Sequence, residues 1–335
     1  IPSAYAPEAL PWADMLAVHE SRHVTQMQFG TTKALRPFNW AFGEMFNILV
    51  SIMYPGIDFM EGDAVITETA FSNSGRGRSA EFLNYYRVAL DNGVIRKWGQ
   101  WRFDSQRNYS PNYYALGYLT LGGIRTFYDC PEYMSDVYHD IAARPYHFGK
   151  FHSKAKSLAG KKRFNEVFQE IADTMNVIWR NEAQERAPFI PMESVTKEQR
   201  LYTDYLSSFF CGNSLYALKK GHLNTPVLVK IDSLGKEDKI RDFSARTGKL
   251  KFHGNRIYWS ETSVDERWSM QTRSRIRFME GSLEYGIESW SRNRTLSGSD
   301  RLLYNPSVSS DGKSIACVEY RQDGSAYLVI LDSDG

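Results

Sequence analysis

In the stretch LAVHESRHVTQMQFG, residues 16–30, two histidines stand four residues apart and a glutamate follows the first. Residues at i and i+4 lie one above the other on a helix, so His19 and His23 can aim ring nitrogens at a single cation. Glu20 is one position round. From there a carboxylate reaches a water held by that cation without binding the cation itself, a layout suited to hydrolysis by metal-activated water. Two imidazoles leave a tetrahedral zinc ion short of a ligand, so this chemistry requires a third protein donor and one position open to water. The competing reading is an amphipathic helix whose histidines are spaced for packing. The surroundings favour a site: Trp12, Leu16, His19, His23 and Met27 fall along one side, and Gly30 stands where a helix-ending glycine is expected. Gln26, three residues past His23, either bonds near the site or faces solvent.

The third donor has to come from elsewhere in the chain. An extended HExxHxxGxxH is excluded, because position 26 is Gln and position 29 is Phe. In DFMEGDAVITETAF, residues 58–71, Glu61 and Glu68 are seven apart and share a helix face. Here the sequence resembles the gluzincin metallopeptidases, in which HExxH is followed by a helix carrying E-G-x-A-x-x-x-E. Glu61, Gly62, Ala64 and Glu68 all match, while Asp58 stands where that family usually has tryptophan. The resemblance implies that Glu61 is the third zinc ligand and that Glu68 orients a histidine by accepting its other ring N–H. Asp63, Glu44 and His139 are the reserve donors.

A hydrolytic site also needs a donor for the oxyanion. In NYSPNYYALGYL, residues 108–119, Tyr114 to Gly117 match the Y-x-x-G of gluzincin aminopeptidases, which implies Tyr114 as the proton donor, with Tyr113 behind it and Tyr109 as a possible second tyrosine. An aromatic stripe packed into the core is the alternative. Arg76 and Arg78, in SNSGRGRS at 72–79, either meet a substrate carboxylate or lie in a solvated loop. Gluzincins carry a β-sheet ahead of the histidine helix, whose edge strand aligns the substrate. Only eleven residues precede Trp12 here, so exopeptidase and endopeptidase are not distinguished.

The elements that must position these residues follow from periodicity. From Trp12 to about Arg180, apolar residues recur at three- and four-residue spacings. Phe42, Met45, Phe46, Leu49 and Val50 make one apolar helix face, and Phe82, Tyr85, Tyr86 and Ala89 another that is closed by Asn92-Gly93. Ser110-Pro111 reads as an N-cap followed by proline in the first turn, opening a helix through Ile124. Phe164 to Trp179 predicts a further helix. After the connector APFIPMESVTKEQR, residues 187–200, short alternating runs between Gly, Asn and Asp turns predict strands. Segments opening at Asn213, Asn255 and Lys313 repeat a strand–loop–strand pattern, at intervals that bracket a propeller blade of roughly 40–50 residues. The last, with NPSVSSDGKSIACVEY, resembles TolB-like β-propellers. The expected fold is therefore multidomain α + β: a mostly α-helical, zincin-like domain over 1–188, then all-β, propeller-like blades over 189–335 that form an incomplete ring.

Composition limits the partners. Net charge is +2 and the Lys and Arg residues are scattered along the chain, which argues against nucleic acid or an anionic membrane as the main partner. No apolar run approaches the roughly 18 residues of a membrane span, and an export signal would have to precede Ile1. Cys130, Cys211 and Cys317 are too few and too far apart for a disulfide framework, and read as small buried hydrophobes. The expectation is a Zn2+-dependent peptidase acting on peptide or protein, with Glu20 as general base and the propeller binding substrate or a protein partner. Its combination of domains resembles secreted, periplasmic or surface-exposed bacterial proteins. The alternative is a catalytically inactive binding protein whose propeller carries the function. A purely structural helical domain ranks third.

Overall fold

The computed structural model describes residues 12–105, 107–268, 271–281, 292–298, 301–321, 323 and 325–333. The side chain of Trp12, placed by the sequence on the histidine face, lies outside the described set. The chain divides into two units, one drawn from residues before Pro191 and one from Pro191 onward with the short stretch around 107–108. The first is helical and the second is built of antiparallel sheets.

Ten α-helices make up the described part of the first unit: α1 (Trp12–Met27), α2 (Arg36–Phe42), α3 (Glu44–Met53), α4 (Ile57–Ala70), α5 (Ala80–Asp91), α6 (Trp98–Arg102), α7 (Tyr113–Phe127), α8 (Tyr133–Ala143), α9 (Lys150–Leu158) and α10 (Phe164–Glu185). α4 lies at the centre, with Phe59, Met60, Ala64 and Val65 buried among α1, α3 and α7. It packs on α7 through glycine. A Cβ on Gly117 would stand 1.8 Å from the Asp58 carbonyl oxygen, and one on Gly62 would stand 2.3 Å from the Gly117 carbonyl carbon. Only glycines let the two backbones approach this closely. Gly117→Ala should therefore destabilise the protein by about 1–3 kcal/mol through overpacking, although the same change in an exposed helix stabilises by about 1 kcal/mol. Denaturant titration reads the sign directly.

Several expectations change. The predicted single face from Phe42 to Val50 is broken by Gly43 (φ 67°), and only Phe46 and Val50 turn inward; Phe42, Met45 and Leu49 are exposed. The reason is tertiary: α3 turns Asn47 towards the turn that follows α1, where its side chain packs over Gly30. Gly30 accordingly serves this close approach inside a short 3-10 turn after α1, and φ there is not left-handed. The N-cap of α7 is Asn112, whose Oδ1 accepts from the Ala115 N–H at 3.2 Å, so the helix starts two residues after the expected Ser110-Pro111 pair. α10 runs six residues past Trp179. Cys317 is buried, but Cys130 and Cys211 are only half-buried.

In the second unit each repeated segment forms an antiparallel hairpin: β2 (Ser214–Gly221) with β3 (Val227–Ile231), β6 (Arg256–Val264) with β7 (Thr272–Glu280), and β10 (Ser314–Tyr320) with β11 (Ala326–Asp332). β1 (Thr203–Cys211) and β4 (Glu237–Asp242) extend the first to four strands, β5 (Lys251–His253) and β8 (Arg294–Thr295) the second, and β9 (Leu302–Val308) the third to three. Successive sheets pack face to face. Tyr216, Leu218 and Leu228 meet Ile257, Trp259 and Met279, while Tyr258, Ile276 and Phe278 meet Leu303, Ile315 and Cys317. In the DGK turn before β10, Asp311 Oδ1 accepts from Ser309 Oγ and the Lys313 N–H at 2.6 and 3.1 Å, and Gly312 takes φ 72°. That is a local reason for serine, aspartate and glycine at those places.

Candidate metal centre

α1 presents Met15, His19, His23 and Gln26 to the interior, and α4 crosses it with Glu61 and Glu68 on the facing side. His19 Nε2 lies 3.0 Å from Glu61 Oε2, His23 Nε2 lies 3.2 Å from the same oxygen, and the two Nε2 atoms are 3.2 Å apart. Among the described residues these three form the one group of His, Cys, Asp or Glu whose donors converge closely enough for a metal. Donors at zinc bond lengths of about 2.0–2.1 Å in a tetrahedron stand about 3.3 Å apart. Nitrogen, nitrogen and carboxylate oxygen at this spacing fit three of the four positions of a zinc tetrahedron.

The outer ring nitrogens are engaged as well, which leaves the Nε2 atoms facing one another. His19 Nδ1 lies 3.1 Å from Glu68 Oε2, and Glu68 is 1% exposed. Arg76 holds Glu68 with its Nε and backbone N–H on Oε1 at 2.8 and 3.0 Å and its Nη2 on Oε2 at 3.0 Å. Arg76 Nη2 also comes within 2.9 Å of His19 Nδ1, so guanidinium and imidazole share one carboxylate. This arginine is neither a loop cation nor free for substrate; it fixes Glu68. Arg78 is more exposed and donates to the Thr69 carbonyl.

His23 is set by a longer relay. Its Nδ1–H donates to Gln26 Oε1 at 2.8 Å, and Gln26 Nε2 donates to Asp63 Oδ2 at 2.9 Å and to the Met60 carbonyl at 3.1 Å. Asp63 in turn takes Arg22 Nε on Oδ2 and Arg125 Nη1 on Oδ1, at 2.7 and 3.2 Å. With its amide nitrogen committed to two acceptors, Gln26 can offer His23 only its oxygen. The solvent-facing alternative for Gln26 is excluded by its burial. Asp63 lies off the donor cluster and acts through Gln26, while Glu44 and His139 are exposed and outside the group. Such partners typically contribute 10–100-fold to metal affinity. Gln26→Leu should weaken zinc binding by about that factor, read by chelator competition.

Tyr114 stacks on His19 with ring centroids 6.2 Å apart, and Tyr113 lies behind it at 4.9 Å. Burial and the nearby Glu61 carboxylate push the Tyr114 hydroxyl well above the ordinary tyrosine range, so it stays protonated as a donor. Tyr109 packs on Tyr85 instead, at 4.8 Å. Glu20 adjoins His19 on α1 and is exposed to solvent. Asp58, at the position where the sequence departs from the gluzincin pattern, is buried and paired with Arg102, and burial raises its pKa.

The electrostatics oppose burial with hydrogen bonding. Burial lowers the His19 pKa, but bonds to Glu61 and Glu68 outweigh it and raise the value from 6.5 to about 8. Burial raises that of Glu61, but His19 and His23 overcome it and pull the carboxylate from 4.5 to about 2. His23 is also raised, against burial, by Glu61 and Gln26. For the metal-free protein the signs follow. The His19 contribution is complete below pH 6.5 and lost as pH rises through about 8, whereas that of Glu61 is present above pH 4.5 and lost as pH falls through about 2. Metal-free thermal stability should therefore decline between pH 6.5 and 8, by about 2 kcal/mol from His19. Zinc affinity should rise over the same interval, by roughly tenfold per pH unit for each proton displaced. Thermal melts with chelator and with zinc should thus slope in opposite directions.

Compared with known protein families, characterised proteins and solved structures, the chain matches none of them.

Proposed function

We propose that the helical unit is a zinc-dependent peptidase domain of zincin type, with His19, His23 and Glu61 as ligands. The single observation that carries the reading is the convergence of two Nε2 atoms and one carboxylate oxygen within 3.2 Å of one another. Bound there, zinc would supply Lewis acidity, lowering the pKa of a water towards 7 and polarising a peptide carbonyl. Glu20, one position round from His19, takes the proton of the attacking water on its carboxylate and delivers it to the leaving amine. Tyr114 donates its hydroxyl proton in a hydrogen bond to the oxygen that gains charge. Glu68, held by Arg76, and Gln26, held by Asp63, keep the imidazoles oriented.

For the second unit we infer propeller blades. Three consecutive antiparallel sheets stacked face to face support this, because blades are four-stranded sheets packed in series, and a ring typically needs four to eight. Their role in this reading is to bind the peptide or protein substrate, or a protein partner. An extracytoplasmic setting, secreted, periplasmic or at the cell surface, rests on the resemblance of the domain combination alone.

Zinc analysis of the purified chain, together with peptidase assays on a broad peptide library with wild type and Glu20→Gln, tests the proposal. Stoichiometric zinc with cleavage by wild type alone supports it. If both proteins hold zinc and neither cleaves, the enzyme reading fails and the inactive binding protein replaces it.

A further inference from the structure

The pair α2–α3 turns most of its apolar side chains outward. Along α3, Asn47 and Ser51 face the core, while Met45, Leu49, Ile52 and Met53 form one stripe in solvent. Asn47 Oδ1 and Ser51 Oγ are buried without a hydrogen-bond partner among the described residues. Polar atoms inside and apolar side chains outside reverse the pattern of an ordinary surface helix. α2 buries nothing and adds Phe38, Trp40 and Phe42 to the same exposed surface, with Trp40 89% and Met45 72% exposed. Phe46 joins the two helices by stacking on Phe38 at 5.6 Å and standing 6.3 Å from Phe42. At the end of α3, Tyr54 stacks on Phe148 at 5.1 Å and donates to the Pro145 carbonyl, which brings in a loop whose Tyr146 and Phe148 are also exposed. Contiguous apolar surface of this extent marks an interaction site.

The charges flanking it in the chain are mainly basic. Between Thr31 and Ile57 the only acidic residue is Glu44, and Lys33 and Arg36 lead into α2. From Ile141 to Asn165 there is no Asp or Glu, and Arg144 and Lys150 flank the exposed aromatics of the loop. Cations that are scattered along the chain are thus gathered beside the apolar stripe, where the sequence alone argued against an anionic membrane. Two copies meeting through this face would set cations against cations. An apolar stripe of Trp, Phe, Leu and Met beside Lys and Arg instead has the composition of a helix lying in a bilayer interface. No described helix is long and apolar enough to cross a membrane, so the contact is with the surface.

We propose that the α2–α3 face and the loop around Arg144 to Lys150 dock on an anionic lipid bilayer. The inference is independent of the metal centre. Flotation of the full chain with vesicles of phosphatidylcholine alone, and of phosphatidylcholine mixed with phosphatidylglycerol, tests it. The protein should float with the anionic vesicles and much less with the neutral ones. Arg36→Ala combined with Arg144→Ala should lower partitioning by about 25-fold, at about fivefold per cation. Trp40→Glu combined with Leu49→Glu should abolish it. Both side chains are exposed, so circular dichroism and the melting midpoint should not change. Failure of wild type to float, or flotation undiminished by Trp40→Glu/Leu49→Glu, overturns the proposal. So does a wild type that is dimeric in size-exclusion chromatography, becomes monomeric on that double substitution and binds no vesicles, which would assign the face to a second copy of the chain.

Discussion

Alanine at His23 should reduce zinc binding by more than about 100-fold, beyond the upper end of what an outer hydrogen-bond partner contributes. The expectation follows from the donor geometry: His23 Nε2 is one of three atoms that converge, and the remaining pair, His19 and Glu61, cannot hold zinc in a tetrahedron with the one water that catalysis allows. His23 is the cleaner choice of the two histidines. Removing His19 would leave Glu61 and Glu68 without the imidazole that both approach, so lost folding would mix with lost binding. Equilibrium dialysis against zinc, beside a far-ultraviolet spectrum of the same sample, separates the two effects. Glu44→Ala and His139→Ala serve as controls and should retain one zinc per chain, since both side chains are exposed and outside the donor group. One zinc still bound to His23→Ala would move the metal elsewhere and remove the basis of the peptidase reading.

Glu20→Gln should keep the zinc and lose hydrolysis by about 10²–10⁴-fold, the usual contribution of a general base. Glutamine matches the shape of glutamate but cannot take a proton from the attacking water. Because Glu20 is exposed and is not among the converging donors, the substitution should leave affinity for the metal within a few-fold of wild type. The separation of the two readouts is the point of the experiment. A loss of zinc in Glu20→Gln would mean that the residue is a ligand and that proton transfer belongs to another group. Equal rates in both proteins would mean that cleavage comes from a contaminant or a different site.

Much of the metal centre can be read from spacing. A spacing of four between His19 and His23 already brings the imidazoles together, and a spacing of seven between Glu61 and Glu68 puts two carboxylates on one face, because helix periodicity is local. The EGxA and YxxG patterns also carried physical information beyond resemblance: Gly62 and Gly117 are the points where α4 and α7 touch through backbone. Gln26 was legible only as an ambiguity, since position i+3 from His23 fits either the inner face or its edge. The roles of Arg76 and Asp63 do not follow from spacing. A lone arginine in a Gly-Ser loop resembles a solvated cation, and an aspartate two residues from Glu61 resembles a spare ligand. Arg76 turns back onto Glu68 eight residues earlier, and Asp63 is met by Arg22 and Gln26 of α1 and Arg125 of α7, helices far from it in the chain.

The cap of α7 and the exposed face of α3 show the same division. Ser110-Pro111 is a good local start signal, yet Asn112 supplies a carbonyl oxygen that reaches the Ala115 N–H, and caps compete within a residue or two. The apolar period from Phe42 to Val50 is real, but periodicity says only that residues share a side, not which side faces in.

The sequence by itself determined the elements and the short-range constellations: two histidines one turn apart, two glutamates two turns apart, three hairpins with their Gly and Asp turns, and a change from helical to alternating texture near residue 190. These depend on dihedral preferences and side-chain periods that act over a few residues. Only the tertiary structure decided that Glu61 meets the histidines, that Arg76 and Asp63 brace them from behind, and that α3 turns its apolar stripe outward. Those outcomes are set by which helix packs against which, and contacts between helices distant in the chain leave no mark in local spacing.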